Sequence, residues 1–369
     1  MGVMIANRNA LSLLLLLCFV LVRGQEERRN SFLDLHYYYG TIMEHNPDLL
    51  HLITENPNGV IVSWNKRTDG SQDWHHLYNF PDYGVSFTYQ DLKNTYLGEN
   101  FGLYAHYNFY FFKRRLMFRV GQGVAYATNP YDKETNFRNN AYGSTLLSST
   151  YMMLNYHRDR IWKRLGLNFG VSLIHYSNAN VKAPNTSTNS IVFNLGANYD
   201  LDSEPLRRER REVSNAYTEP VGYNLVLRGG VNESDIVGSG QYPFVVGSFY
   251  ADKRINLKSA LQAGVDVFFS EFLIEYNRYR VVSFFEEDRE ADADYRRIGL
   301  FLGHELFLGK TGILSQMGYY VYNPIEFEND VYLRLGLKRY FRPHIFGAVT
   351  LKSHWAKAEA VELGIGYRW

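Results

Sequence analysis

The run Leu165-Gly166-Leu167-Asn168-Phe169-Gly170-Val171-Ser172-Leu173-Ile174-His175-Tyr176-Ser177 decides how this chain is read. Every second residue from Leu165 to Leu173 is apolar, while Asn168, Gly170, Ser172 and Tyr176 take the alternate positions. Period two belongs to a strand with two unlike faces. The apolar row ends in His175 and Ser177, a base and a hydroxyl two residues apart on one face. Side chains so spaced can approach one another without a special turn, a geometry compatible with nucleophilic catalysis.

The same alternation recurs along the chain. Val361, Leu363, Ile365, Tyr367 and Trp369 alternate with Glu362, Gly364, Gly366 and Arg368, and Val331, Leu333, Leu335 and Leu337 alternate with Tyr332, Arg334, Gly336 and Lys338. Beyond the N-terminal segment no stretch has the length of apolar sequence a spanning helix needs, and Pro47 to Glu55 alone has a short helical pattern. A soluble β-sandwich also alternates. Here the segments are long, their polar face carries charges and glycines, and aromatics gather at their ends, as in a membrane barrel. The composition agrees, with 30 Tyr, 24 Phe and 30 Gly against 10 Pro.

The expected fold is therefore all-β: a transmembrane antiparallel outer-membrane β-barrel of about 16 strands, with 12 to 16 allowed. Strands are expected to begin near Phe32, Gly59, Tyr83, Phe101, Leu116, Thr145, Leu165, Asn189, Tyr223, Phe244, Leu257, Arg297, Gly312, Val331, Ile345 and Ala358. With both termini periplasmic, turns such as Lys113 to Arg115 and Leu308 to Thr311 face the periplasm, and loops such as Thr128 to Gly143 and Ala179 to Thr188 face outward. The charged connection 201–221, with Arg207, Arg208, Glu209, Arg210 and Arg211, divides the strands into 25–200 and 222–369. A single barrel is the favoured closure, because alternation resumes unchanged after that connection.

Residues 1–24 carry Arg8 and an apolar run from Leu11 to Val22, which reads as a cleaved signal peptide, too short to span a bilayer. Cys18 is the one cysteine and lies within it, so the mature chain has no disulfide or cysteine metal site. A formal net charge of +1, without a basic cluster of one sign, argues against a nucleic-acid partner. His75 and His76 with Asp73 lack a third ligand at fixed spacing and read as an exposed turn. The acidic run Glu286 to Asp294 lacks the glycine of a calcium loop and is broken by Arg289, so it reads as a solvated loop. No metal and no cofactor is expected.

The run His175-Tyr176-Ser177-Asn178-Ala179-Asn180-Val181-Lys182-Ala183-Pro184-Asn185 resembles the His-x-Ser-Asn motif, followed at fixed distance by Pro-Asn, of the lipid A 3-O-deacylase (PagL-type) family of outer-membrane acyl hydrolases. Weaker similarity includes Gly121-Gln122-Gly123-Val124-Ala125-Tyr126-Ala127, and the resemblance covers about Phe32 to Asp200. It implies an outer-membrane serine esterase that removes an ester-linked acyl chain from lipid A (lipopolysaccharide), its partner in the outer leaflet. Ser177 would be the nucleophile, His175 its base and Asn178 a support for the oxyanion. The family's third triad member is a glutamate, and its place is taken here by Asn189. An amide oxygen accepts the imidazole N–H but cannot stabilise imidazolium by charge, so a slower enzyme is expected. Asp132 or Glu134, on the neighbouring external loop, would supply the missing charge if that loop folds over the site. Lys182 would meet a lipid A phosphate. The rival reading is a non-catalytic outer-membrane barrel, a porin, channel or structural protein that retains the motif, since about 16 strands in one ring would enclose a water-filled lumen. Oligomeric state is left open.

Overall fold

The computed structural model describes residues 30–284 and 292–369, so the expected signal peptide and most of the acidic run after Glu286 lie outside the described residues. The first eight strands are β1 (Ser31–Ile42), β2 (Asn58–Arg67), β3 (Asp82–Asp91), β4 (Glu99–Phe111), β5 (Leu116–Ala127), β6 (Leu146–Trp162), β7 (Leu165–Ser177) and β8 (Thr188–Asp200). The next eight are β9 (Gly222–Asn232), β10 (Tyr242–Arg254), β11 (Ser259–Ser270), β12 (Arg296–Leu308), β13 (Thr311–Tyr322), β14 (Val331–Tyr340), β15 (Ile345–His354) and β16 (Lys357–Arg368). All are antiparallel to their neighbours, and the sixteen expected strands are all present.

Closure departs from the favoured single ring. Strand β8 pairs back onto β1, with Leu35 opposite Ala197, and β16 pairs back onto β9, with Ile365 opposite Leu227, giving two closed barrels of eight strands each. Alternation is a local property and reads the same in either topology. What differs is which distant edges meet, and closing each ring removes its own exposed edges.

The outward rows are apolar and exposed on both barrels. Examples are Leu35, Leu103, Phe193 and Leu195 on the first and Leu225, Leu302, Leu335 and Leu363 on the second. Continuous apolar exteriors of this size are unfavourable in water and belong in a bilayer. Aromatics rim the end of the second barrel at which β9 begins and β16 ends, where Tyr223 stacks on Phe249 with centroids 6.2 Å apart and Tyr367 on Trp369 at 6.1 Å.

Both interiors are packed with hydrogen-bonded charge, as expected of eight-stranded rings. In the first, Arg119 donates to Asp34 at 2.6 and 3.2 Å and to Ser63 at 2.8 Å. In the second, Arg334 bridges Asp266 at 2.7 Å and Glu362 at 2.6 Å, while Lys338 pairs with Glu305 and Arg297 with Glu359. The wide lumen that the channel reading required is absent from both described barrels, because no single sixteen-stranded ring exists.

Outside the strands, the short helical pattern expected at Pro47 to Glu55 is a 3-10 helix, Pro47–Leu52, and a helix not anticipated follows β11 at Phe272–Phe284. The two barrels touch at both ends. At the end where the chain enters and leaves each barrel, the β2–β3 connection leans on the second barrel, with Tyr78 Oη donating to the Phe307 carbonyl at 2.9 Å and Lys258 5.0 Å from the Tyr78 ring. Arg208 of the charged connection donates to the Thr68 carbonyl at 3.2 Å. At the opposite end the loops after β7 and β9 meet, where the Ala183 N–H donates to Glu233 at 2.9 Å.

Candidate active site

Strand β7 holds the expected parity. Leu165, Leu167, Phe169 and Val171 point outward and are exposed, while Asn168, Ser172 and Tyr176 are buried inside. His175 and Ser177 continue the outward row at the C-terminal end of the strand, beyond its apolar residues. Loop contacts nonetheless leave Ser177 only 6% exposed and His175 half-buried. The outward surface turns polar here on adjacent strands. Ser148 and Thr150 of β6 lie opposite Ser177 and His175, and Gln122 of β5 donates to Ser148 Oγ at 3.3 Å.

Register brings Asn189 of β8 directly opposite His175. His175 Nδ1 stands 2.7 Å from Asn189 Oδ1, so the amide oxygen accepts the Nδ1 proton and leaves Nε2 as the basic atom. The Ser149 hydroxyl donates to the His175 carbonyl at 2.7 Å and steadies the strand beneath the ring.

Ser177 is held differently. Its hydroxyl donates to Asn185 Oδ1 at 3.0 Å and accepts the Ala179 N–H at 2.9 Å. Asn185 Oδ1 also accepts the Asn178 N–H at 2.9 Å, so one amide oxygen ties together the serine and the start of the β7–β8 loop. The Asn178 side chain donates to the Lys182 carbonyl and accepts the Asn180 N–H at 3.0 Å, which commits both its polar atoms to shaping this loop. Lys182 is exposed at the loop's outer surface.

The β5–β6 loop backs the same turn. Thr186 N–H donates to the Asn140 carbonyl and Ser187 N–H to the Ala141 carbonyl, both at 3.1 Å. Gly143 packs so closely that a Cβ there would sit 2.3 Å from the Lys182 carbonyl oxygen. Asp132, in this loop, accepts hydrogen bonds from the Glu134 and Thr135 amides and the Thr135 hydroxyl. The Thr135 donors, with Lys182 adding attraction, hold its carboxyl below the usual range. The acid is thus satisfied within its own turn, and the atom resting on His175 Nδ1 is that of Asn189.

Two residues were not singled out from sequence. Asn185 was noted only as part of the Pro-Asn pair. His45, beyond β1, places Nε2 3.1 Å from the Thr186 carbonyl and 3.3 Å from Ser187 Oγ, on the approach to Asn189. Its neighbour Met43 donates its N–H to the Asn189 carbonyl at 2.7 Å. No motif marks His45 or Met43; only closure of β1 onto β8 brings the loop after β1 here. Among the described residues no group of three or more His, Cys, Asp or Glu side chains is placed to hold a metal ion. His75 and His76 are buried, not exposed, and sit at the opposite end of the molecule from Ser177.

Fold and site together define a membrane-type double β-barrel carrying a His-x-Ser pair at the rim of its first barrel. Residues 58–198 match the family described as "Lipid A 3-O-deacylase (PagL)", and residues 221–369 match "Acyloxyacyl hydrolase, C-terminal domain" (PagL_C). The chain belongs to the PagL family, its first barrel carrying the deacylase match and its second the C-terminal one. Comparison with curated proteins finds no match. Among solved structures, a triple mutant of the Rh. blastica porin is 10% identical over 92% of this chain and 99% of its own, with a TM-score of 0.19. A five-site mutant of the same porin is 9% identical over the same shares, with a TM-score of 0.20. Superpositions at this level say nothing of function.

Proposed function

We infer that the protein is an outer-membrane serine esterase that removes an ester-linked acyl chain from lipid A. The observation that carries this reading is the 2.7 Å contact of His175 Nδ1 with Asn189 Oδ1, with Ser177 two residues on along the same outward row. That row faces the outer leaflet, where the acyl esters of lipid A meet their sugar headgroups. Membership of a family named for acyl hydrolysis supports the same chemistry.

Substrate arrives by lateral diffusion and seats its ester against the outer end of β7. Ser177 turns from Asn185 toward His175, a rearrangement of the kind that accompanies formation of many Michaelis complexes. Ser177 Oγ attacks the ester carbonyl while His175 Nε2 takes its proton. The C–O bond to the sugar breaks, and the departing oxygen takes that proton. Water, deprotonated by the same imidazole, then attacks the acyl-serine carbonyl, the bond between the acyl carbon and Ser177 Oγ breaks, Oγ takes the proton back from His175, and the fatty acid is released. Backbone amides of the β7–β8 loop, Ala179 among them, supply donors for the oxyanion once the serine has moved, with the Asn178 amide as a further donor if the loop opens. No cofactor enters this scheme. Lys182 contacts a lipid A phosphate.

The test is incubation of the purified protein, and of Ser177→Ala, with lipid A, reading released fatty acid by mass spectrometry. Release by the wild type well above the variant supports the esterase. Equal release from both sinks it.

A further inference from the structure

The loop that carries the nucleophile is held from two sides, and one of them is the other barrel. Glu233, just past the end of β9, is buried at 3% exposure in the outer loop of the second barrel. One carboxylate oxygen accepts the Ala183 N–H at 2.9 Å. The other accepts the Gly238 and Gly240 amides at 3.1 and 3.0 Å, which folds its own loop around the charge. Its backbone N–H donates to the Asn180 carbonyl at 2.9 Å, and its carbonyl accepts from Asn180 Nδ2 at 3.2 Å. Gln241 adds a bond from Nε2 to the Val181 carbonyl at 2.8 Å. Asn180, Val181 and Ala183 are thus all tied to the second barrel. They lie between Ser177 and Asn185, the residue to which the serine hydroxyl is bonded.

We propose that the second barrel is a positioning module for the ester-cleaving site, with Glu233 as its key positioning residue. Charge-assisted bonds from backbone amides to a buried carboxylate are short and directional. They set the curvature of residues 178–185 and so the distance and angle from which Ser177 meets His175. Misplacement of a reacting group by an ångström costs orders of magnitude in rate, which gives the second barrel a function without any contact to substrate. Removal of the carboxylate leaves the Ala183, Gly238 and Gly240 amides without their acceptor and releases the loop while both β-barrels stay closed.

This inference rests on the esterase reading for its catalytic half, so the test carries two readouts on the full-length protein in detergent micelles. Amide hydrogen exchange over residues 178–185 reports the clasp, and fatty acid release from lipid A reports the consequence. Glu233→Ala is expected to speed exchange in that segment and lower kcat by about tenfold or more at nearly unchanged KM. Glu233→Gln, which keeps one acceptor oxygen, is expected to recover part of both, and Gln241→Ala to give a smaller change in the same direction. Unchanged exchange in both Glu233 variants overturns the clasp, whatever the activity. Faster exchange with unchanged kcat overturns the positioning role. A wild type that releases no fatty acid overturns the esterase reading and the catalytic half with it, while exchange still decides whether the clasp exists.

Discussion

Asn189 stands across the β7–β8 ladder from His175, its amide oxygen 2.7 Å from Nδ1, the place where the resemblance to the deacylase family implies a carboxylate. The amide fixes the tautomer but adds no charge to stabilise the imidazolium that forms as Ser177 attacks. Asn189→Glu is expected to raise kcat by about ten- to a hundredfold, and Asn189→Leu to lower it by a similar factor. Initial rates of fatty acid release check this, and an unchanged rate in both variants removes Asn189 from the triad.

Asn185 bears on the serine from the other side. Its Oδ1 accepts both the Ser177 hydroxyl and the Asn178 amide, so Asn185→Ala strands a buried backbone donor at about 1–3 kcal/mol of local stability. Expected outcomes are faster amide exchange at Asn178 and about a tenfold loss of kcat, with barrel melting followed by circular dichroism within a few degrees of wild type.

Gly143 tests the first-barrel side of the same loop. A methyl group there would meet the Lys182 carbonyl oxygen at 2.3 Å and the Ala183 carbonyl at 2.5 Å, well inside van der Waals contact. Gly143→Ala is expected to push the loop outward and lower esterase activity severalfold, while Gly238→Ala, whose Cβ would meet nothing within 4 Å, affects the rate only through its strained backbone. Equal activity of Gly143→Ala and wild type would mean the β5–β6 loop yields freely.

The interior of the second barrel predicts a stability effect separable from the site. Arg334 is fully buried between Asp266 and Glu362. Arg334→Ala leaves two carboxylates without their main counter-ion and is expected to destabilise that barrel by about 3–5 kcal/mol. Replacing Arg228, Arg334, Asp266 and Glu362 together by apolar residues, so that Arg228 is not left without its carboxylates, should recover much of this. Urea unfolding in detergent, read by tryptophan fluorescence, distinguishes the two.

In the β2–β3 connection, burial holds the His75 imidazole below its ordinary pKa of 6.5, against the opposing pull of Asp69, with His76 adding to the depression. A depressed histidine favours folding fully above that ordinary value, and stability is lost as the pH falls below it, where the unfolded chain takes up the proton first. Protection over residues 68–80, taken as the exchange rate relative to the intrinsic rate at each pH, should therefore fall from pH 7 to pH 5. His75→Gln, neutral throughout, should flatten the dependence.

Strand content was legible because each strand buries one face and bares the other, so Val331 to Leu337 or Leu165 to Ser177 carries its own register. Pairing His175 with Asn189 followed from two adjacent strands joined by a short loop. Closure was not legible. The contact of Leu35 with Ala197 and that of Ile365 with Leu227 join strands far apart in sequence, and the rows they connect would look the same in one ring of sixteen. The helix Phe272–Phe284 was hidden for a related reason: its apolar residues do not gather on one helical face, so period 3.6 is weak. The bonds from Asn185 and Glu233 into the loop depend on side chains meeting across turns, for which no spacing rule exists.

The connection between Asp200 and Gly222 has a consequence for how strong the contact of Glu233 with Ala183 has to be. Two separate barrels meeting in a membrane would need an interface of substantial area to stay associated. Joined by one short tether, they meet at an effective concentration in the millimolar range, and a handful of polar bonds at the outer rim suffices to keep them in register. The pair can also come apart locally without dissociating. Covalent continuity, rather than interface area, then sets how often the nucleophile loop is correctly seated, and cutting the chain within 201–221 would turn an internal brace into a partner that must be found by diffusion.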